Sequence, residues 1–387
     1  MSVLRRMFGG GDSPSALEAD FTDIAELEER GEALLVAGAR EASGAHQLRV
    51  AVVVPWLLEG SGGHSTILNL VRRLESGGHD VSLWVHDPGG RNAGMDAAGA
   101  VHEWFGGMRG PVRIGFDEWS GADVVVATGW QTVHRVLLLE GCKARAYLVQ
   151  DHEPDFYPES AERRWADQTY RLGLHCITAG RWLRDLVTHN YGASASWFSL
   201  GVDHSVYRPR DVQRADDVVL AYSRSTTPRR AVPLVLLALA EVRRQRPEVQ
   251  IELFGDPRGT PRLLEARDLG VLDRDALAEA YSRATVGVVL SLTNYSLIAQ
   301  EMLACALPCV EADTPSTRAA FGPDGPVALA TPTIEAVAAD VLGLLDDADL
   351  RGRRRELGLH LAQQRTWESA AEDFEGGLRE ALRLAAG

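Results

Sequence analysis

Three short stretches place groups suited to binding a ligand where an apolar run gives way to a loop. The first is YSRSTTPRR at 222–230, which sets Arg224, Arg229 and Arg230 after the run VVLAY. Two guanidiniums five residues apart beside a helix start can grip a diphosphate in bidentate fashion, which an ammonium does less well. The same stretch also reads as a solvated, arginine-rich turn. In the second, SLTNYSLIAQEMLACALP at 291–308, Glu301 stands on an otherwise apolar helix. Burying that carboxylate alone is costly, so it calls for hydroxylated partners such as those of a sugar or ribose. Backbone amides of Tyr295 to Ile298 at the helix start suit phosphate oxygens. A glutamate near a helix start is also simply favourable to the dipole. The third is GSGGH, in which Gly60, Gly62 and Gly63 follow the first β-branched run and precede a helix. Amides there can approach a ligand oxygen closely, and a tight turn with no ligand accounts for them too. The spacing is not GxGxxG with an acid about twenty residues on, so a dinucleotide site is poorly supported.

Composition removes several alternatives. The net charge is −14 and Lys143 is the one lysine, which argues against non-specific nucleic-acid binding, excludes a P-loop and disfavours Schiff-base chemistry. No separated DxD marks a strand-end loop, so neither a metal nor any other cofactor is expected. The four cysteines lack metal or redox spacing and read as buried thiols. His64, His134 and His152 read first as hydrogen-bonded scaffold residues. Trp56, Trp130 and Trp182 read as core, with an aromatic platform for a sugar or base as the alternative.

These residues need rigid elements to hold them. At 387 residues, two domains are expected. Residues 1–47 read as a polar extension with one weakly amphipathic helix through Phe21, Ile24 and Leu27, and on to Leu34 and Leu35. From residue 48 to 202, apolar runs such as LRVAVVV, DVSLWVH, ADVVVA and ARAYLV alternate with helical segments, as in a parallel sheet covered on both faces. Residues 203–365 repeat the pattern, with helices expected at 231–244, 275–283 and 334–346. The fold class predicted is therefore α/β, with two doubly wound Rossmann-like domains. The apolar runs are too short to span a membrane and Met1–Gly11 lacks an apolar h-region, so a cytoplasmic chain with at most peripheral membrane contact is expected.

Over roughly residues 49–380 the sequence resembles the retaining family 4 glycosyltransferases of the GT-B fold, and within them a group of bacterial rhamnosyltransferases that use dTDP-rhamnose. The resemblance lies in GSGGHSTI, VQDHEPDFYP at 149–158, TAGRWLRDL at 178–186, SLGVDHSVYRP at 199–209, YSRSTTPRR and SLIAQEMLACALPCVE. It implies two domains facing across a cleft, hinged near Gly201 to Pro209, with the last helix, 366–387, crossing back onto the first. It further implies that Arg224 and Arg229 meet the diphosphate, that Ser296 and Leu297 present amides to the phosphates, and that Glu301 binds sugar or ribose hydroxyls. By the same resemblance the backbone at Gly270 and Val271 meets the base, Gly62 and Gly63 close over the donor, and Asp151 and Glu153 face the acceptor. Three departures stand out: Thr293 where an acid is usual, Gln150 where a histidine is usual, and Ala306 for glycine.

The function so implied is metal-independent transfer, with retention, of a sugar from a nucleoside diphosphate to a glycan or glycolipid hydroxyl, with a dTDP-linked 6-deoxyhexose such as L-rhamnose as the leading donor. The rivals are a nucleotide-sugar epimerase of the same build, a non-catalytic sugar-nucleotide or glycan-binding protein, and an NAD-dependent oxidoreductase. The last lacks the acid expected after the second strand.

Overall fold

A computed structural model describes residues 16–259 and 264–387, so Arg5 and Arg6 of the N-terminal stretch lie outside the described residues. The chain divides into two compact units. Unit 1 holds the described residues up to Ala179, then Leu183–Phe198 and Ala370–Gly387; unit 2 holds Gly180–Trp182 and Ser199–Ser369.

Unit 1 is built on seven strands: β1 (Arg49–Val54), β2 (Asp80–Val85), β3 (Val112–Ile114), β4 (Ala122–Ala127), β5 (Cys142–Val149), β6 (His175–Ala179) and β7 (Ala195–Phe198). Their order is β3-β2-β1-β4-β5-β6-β7, parallel throughout. Every residue of β4 is buried, as a central strand covered on both faces demands. The order reverses between β1 and β4, and at such a switch point the loops leaving the strand ends diverge and open a crevice. The helix Gly62–Ser76 starts there, capped by Ser61, whose Oγ accepts from the His64 N–H. It buries Ile67, Leu70, Val71 and Leu74, the face its periodicity predicts. The last helix, Trp367–Ala385, runs from Ala370 onward with unit 1, where Phe374 meets Phe198 edge-on.

The segment before β1 is packed into unit 1. Its helix Ala16–Arg30 lies on Trp130–Leu138, while Leu34 and Leu35 fall beyond the helix and are exposed. The anchor is Asp23, which is 3% exposed, bonds His86 Nε2 at 2.6 Å and pairs with Arg135. Burial pushes the Asp23 carboxyl up, but the His86 bond and charge and the Arg135 charge outweigh it and hold it below the usual carboxylate range. Asp23→Ala, which leaves His86 and Arg135 without their buried partner, is expected to destabilise unit 1 by about 3 kcal/mol. Limited proteolysis should then cut within Ala16–Arg30, whereas Glu28→Ala on the exposed face should cut no faster than the wild type.

Unit 2 carries β8 (Val218–Tyr222), β9 (Gln250–Phe254), β10 (Arg267–Asp268), β11 (Val286–Val288), β12 (Cys309–Ala312) and β13 (Val327–Ala330). The order is β10-β9-β8-β11-β12-β13, again all parallel. Val219, Ala221, Ile251, Val288 and Val310 pack with Val235, Leu239, Val337 and Val341 of two helices into its core. Those helices are Val232–Gln245 and Ile334–Asp346, within a residue of the expected spans. The reversal falls between β8 and β11, the strands that lead into YSRSTTPRR and SLTNYS. Ala306 has φ +59°, a left-handed backbone in which glycine is unstrained, which explains what the resemblance leads one to expect at that position. Among the described residues no helix is long and apolar enough to cross a membrane. The four cysteines are buried and unpaired.

Candidate functional site

In unit 2 the loop after β8 is shaped by Asp256, which sits just beyond β9 and is 1% exposed. Its Oδ2 accepts from the Ser225 N–H at 2.9 Å and pairs with the Ser225 hydroxyl, and its Oδ1 accepts from the Arg258 N–H at 2.9 Å. Ser223, buried, bonds the Phe254 carbonyl through both its amide and its hydroxyl. Arg224 is thus carried on a segment pinned on both sides. The chain then makes the short turn Pro228–Arg230 and enters Val232–Gln245 through Ala231 at φ +47°. Arg224 and Arg229 are both half-buried on this loop.

The loop after β11 meets it directly. The Leu292 N–H donates to the Arg229 carbonyl at 3.0 Å, stitching the two loops at the switch point. Asn294 organises the rest: its carbonyl accepts from the Ser291 hydroxyl at 2.5 Å, and its Oδ1 accepts from the Ser316 hydroxyl at 2.6 Å and the Tyr295 N–H at 3.0 Å. Thr293 is buried within this loop. Ser296 caps the helix Leu297–Ala304, its Oγ accepting from the Ile298 N–H at 3.2 Å. The first amides of any helix lack intrahelical acceptors and carry its positive end. The arginine loop and this helix start therefore form one cationic, donor-rich end of the sheet.

Glu301 lies one turn further along. Its carboxylate accepts from the Tyr281 hydroxyl at 3.4 Å and also bonds Tyr207, with Arg274 nearby. Burial pushes its pKa up to about 7, against the pull of those hydroxyls and of Arg274. The hydroxylated partners that the sequence demanded are supplied at least in part by the protein's own tyrosines. Gly270 bonds back on itself, its N–H to Asp268 Oδ1 at 2.9 Å and its carbonyl to the Gly255 N–H at 2.7 Å, while Val271 is 66% exposed. Gly255 is obligatory where it stands: φ is +98° and a Cβ would come within 2.4 Å of the Tyr222 ring.

In unit 1, Gly62 and Gly63 form the first turn of their helix rather than a loop. A Cβ on Gly62 would meet nothing within 4 Å, and one on Gly63 would sit 3.5 Å from the Gln150 amide. The glycine turn and the VQDHE segment, distant in sequence, are thus neighbours. Burial pushes the His64 imidazole down to about 4, and its ring stacks on Phe105 at 5.7 Å. Asp151 is 8% exposed; its Oδ1 accepts from the His152 N–H at 2.9 Å. His152 is engaged on both ring nitrogens, by Asp155 at 2.8 Å and Tyr191 at 2.7 Å, which is a scaffold arrangement.

Glu153 departs from expectation. It is 7% exposed, much as Asp151 is, but both its oxygens are committed, Oε1 accepting from the Tyr147 hydroxyl at 2.6 Å and Oε2 from the Trp130 N–H at 2.8 Å. It closes the open end of the helix Trp130–Leu138, and burial pushes its pKa up to about 7. With both oxygens committed, Glu153 anchors the loop that carries Asp151. Sequence reasoning passed over Asp256 and Glu311. The signal for Glu311 was present, since a lone acid inside the buried strand CVEA needs a partner.

Residues 216–347 match the family model for glycosyl transferases group 1, and residues 118–179 match the model for the WsaF N-terminal domain. The O-antigen biosynthesis protein RfbC of Myxococcus xanthus is 29% identical over 262 residues, covering 66% of this chain and 20% of that protein. The chain therefore corresponds to about a fifth of that relative's length. Among solved structures, sucrose-phosphate synthase from Thermosynechococcus elongatus superposes with a TM-score of 0.64 at 15% identity, covering 88% of this chain and 100% of that one. Anabaena HepE, solved in complex with UDP and glucose, gives 0.63 at 12% identity, with 87% and 99% covered. At such identities the likeness is one of fold. The chain has the GT-B fold, and its second unit matches the glycosyl transferases group 1 family over residues 216–347.

Proposed function

We propose that the chain transfers a sugar from a nucleoside diphosphate to a hydroxyl of a glycan or glycolipid, in the assembly of a surface polysaccharide. The observation that supports this reading is the stitched pair of loops at the β8/β11 switch point: the Leu292 N–H holds the Arg229 carbonyl, and the loop with Arg224 and Arg229 and the loop leading into Leu297–Ala304 leave adjacent strands. Charge on a departing diphosphate grows as the glycosidic bond breaks, so fixed guanidiniums and helix amides there bind the transition state more strongly than the ground state. In this reading the arginines do what a divalent ion does elsewhere. Ser296 and Leu297 offer amides to the phosphates, Glu301 with its tyrosines receives hydroxyls of the nucleotide sugar, and the Gly270–Val271 backbone borders the base.

On the acceptor side Asp151, held by the Glu153 anchor, orients the attacking hydroxyl, and Gly62 and Gly63 admit the donor close to the helix start. Similarity to RfbC supports the polysaccharide context. The motif resemblance supports retention of configuration and a dTDP-linked 6-deoxyhexose, with L-rhamnose the first choice. Thr293 leaves position 293 without the carboxylate that a hexose would otherwise meet.

The test is a panel of nucleotide sugars, scored first by thermal shift and then by nucleoside diphosphate released with and without a glycan acceptor. Acceptor-dependent release from a dTDP-sugar is the expected result. Isomerised donor without acceptor would indicate an epimerase, and binding without turnover a non-catalytic protein.

A further inference from the structure

Glu311 lies on β12, beside the strand that leads into the 291–296 loop, and is 0% exposed. Its Oε1 accepts from the Ser291 N–H at 2.5 Å and from the Ala312 N–H at 3.0 Å. Its Oε2 is buried without a hydrogen-bond partner, and so is Nη1 of Arg230, the cation whose charge acts on it. A carboxylate in an all-apolar strand is expensive; a valine at 311 would pack against the sheet at no such cost. What the side chain does instead is hold the first amide of the 291–296 loop, with the charge of Arg230, the last arginine of the 224–230 loop, close enough to act on it. Burial pushes its pKa up to about 8, against the pull of the Ala312 and Ser291 amides and of the Arg230 charge.

We propose that Glu311 is a positioning residue, pinning the Ser291 amide and, through Arg230, keeping the two phosphate-facing loops in register. The inference rests on the donor reading given above. It divides the adjacent arginines by role: Arg229 serves the donor, while Arg230 serves the carboxylate behind it. The stitch from the Leu292 N–H to the Arg229 carbonyl lies between these two anchors, so movement at Ser291 or Arg230 displaces Arg229.

The test uses the full chain as wild type, Glu311→Gln, Glu311→Val, Arg230→Ala and the Glu311→Gln/Arg230→Ala double variant. Binding of dTDP and UDP is measured by calorimetry, alongside donor KM and kcat and the melting temperature. Glu311→Gln keeps an acceptor for the Ser291 amide but puts an amide group where Oε2 stands towards Arg230. Its expected phenotype is normal melting with binding and kcat/KM down about tenfold, on the scale of one misplaced buried polar contact. Glu311→Val should lose more, and the double variant should be no worse than the worse single, since the two side chains act as a unit.

Wild-type binding and kinetics in Glu311→Gln, or additive losses in the double variant, would overturn the proposal. So would a lowered melting temperature with unchanged kcat and KM, which is the mark of a merely structural group. If Glu311→Val does not fold, Glu311→Gln and Arg230→Ala decide the matter by themselves. If the wild type binds neither nucleotide and turns over no donor, the donor reading fails first and takes this inference with it. Wild-type behaviour of the Glu311 variants beside a damaged Arg229→Ala would remove Glu311 alone.

Discussion

Arg229→Ala is expected to lower sugar transfer by roughly 10²–10³-fold, the usual effect of deleting one preorganised charge contact to a developing anion, while the protein melts as the wild type does. The fold should survive because the structural duty at this position is performed by the backbone: the Leu292 N–H binds the Arg229 carbonyl, which alanine retains. The loss should fall on kcat more than on KM, since the charge on the leaving diphosphate is largest in the transition state. Arg229→Lys should recover only part of the rate, because an ammonium restores the charge but not the planar fork. Single-turnover measurements with saturating donor would check this, and an unchanged rate in Arg229→Ala would remove the residue from the mechanism.

Three buried glutamates are expected to pull the melting temperature down as pH rises from about 5 to about 8, and because buried histidines pull the other way up to about 6.5, the net fall should lie above that pH. Glu153 and Glu301 are raised from 4.5 to about 7, and Glu311 to about 8, each chiefly by burial. In that interval the unfolded chain has already released these protons and the folded chain still holds them. The folded state binds more protons, so stability is full below about pH 4.5 for these groups and is lost as pH climbs through 7 to 8. For Glu153 alone the shift corresponds to about 3 kcal/mol. At a few degrees per kcal/mol that is roughly 5–10 °C for a domain of this size. His64 and His134, lowered by burial from 6.5 to about 4, and His175, also lowered by burial, act in the other direction between about pH 4 and 6.5, and Asp23, lowered below 3.8, does so only in acid. Calorimetric scans across the range would show the slope, and Glu153→Gln, which cannot titrate, should flatten the share belonging to unit 1. An equal slope in that variant would exclude Glu153 as its source.

Much of the architecture was legible in the residues. ADVVVA and LRVAVVV announce central parallel strands because a strand buried on both faces has no polar alternation to disguise it. The helix Ile334–Asp346 was equally plain from its apolar face. β6 was not, since His175 and Thr178 interrupt its apolar run. Both are satisfied only after folding, His175 by Ser194 and Ser196 at 2.9 and 3.1 Å and Thr178 by the Ser196 carbonyl. The helix Ala348–Gln363 was missed for a related reason: its arginines hide the face on which Gly358 meets Leu303. The helix of the N-terminal segment could be anticipated, but not its attachment, because the partners of Asp23 are 63 and 112 residues away.

For the site, residue types and spacing determined by themselves that guanidiniums, a glycine turn and a lone helical carboxylate would stand at strand ends. A strand-to-helix junction is a local property, written in a dozen consecutive residues. Only the tertiary structure decided which of those groups is committed inside the protein. Glu153 and Asp151 look alike in VQDHE, yet one closes a buried helix end and the other lies in the loop beside it. Glu311 and Arg230 come together only when β12 enters the sheet beside β11. The role of a carboxylate depends on its solvation and its partners, and both are set by chain segments far away in sequence.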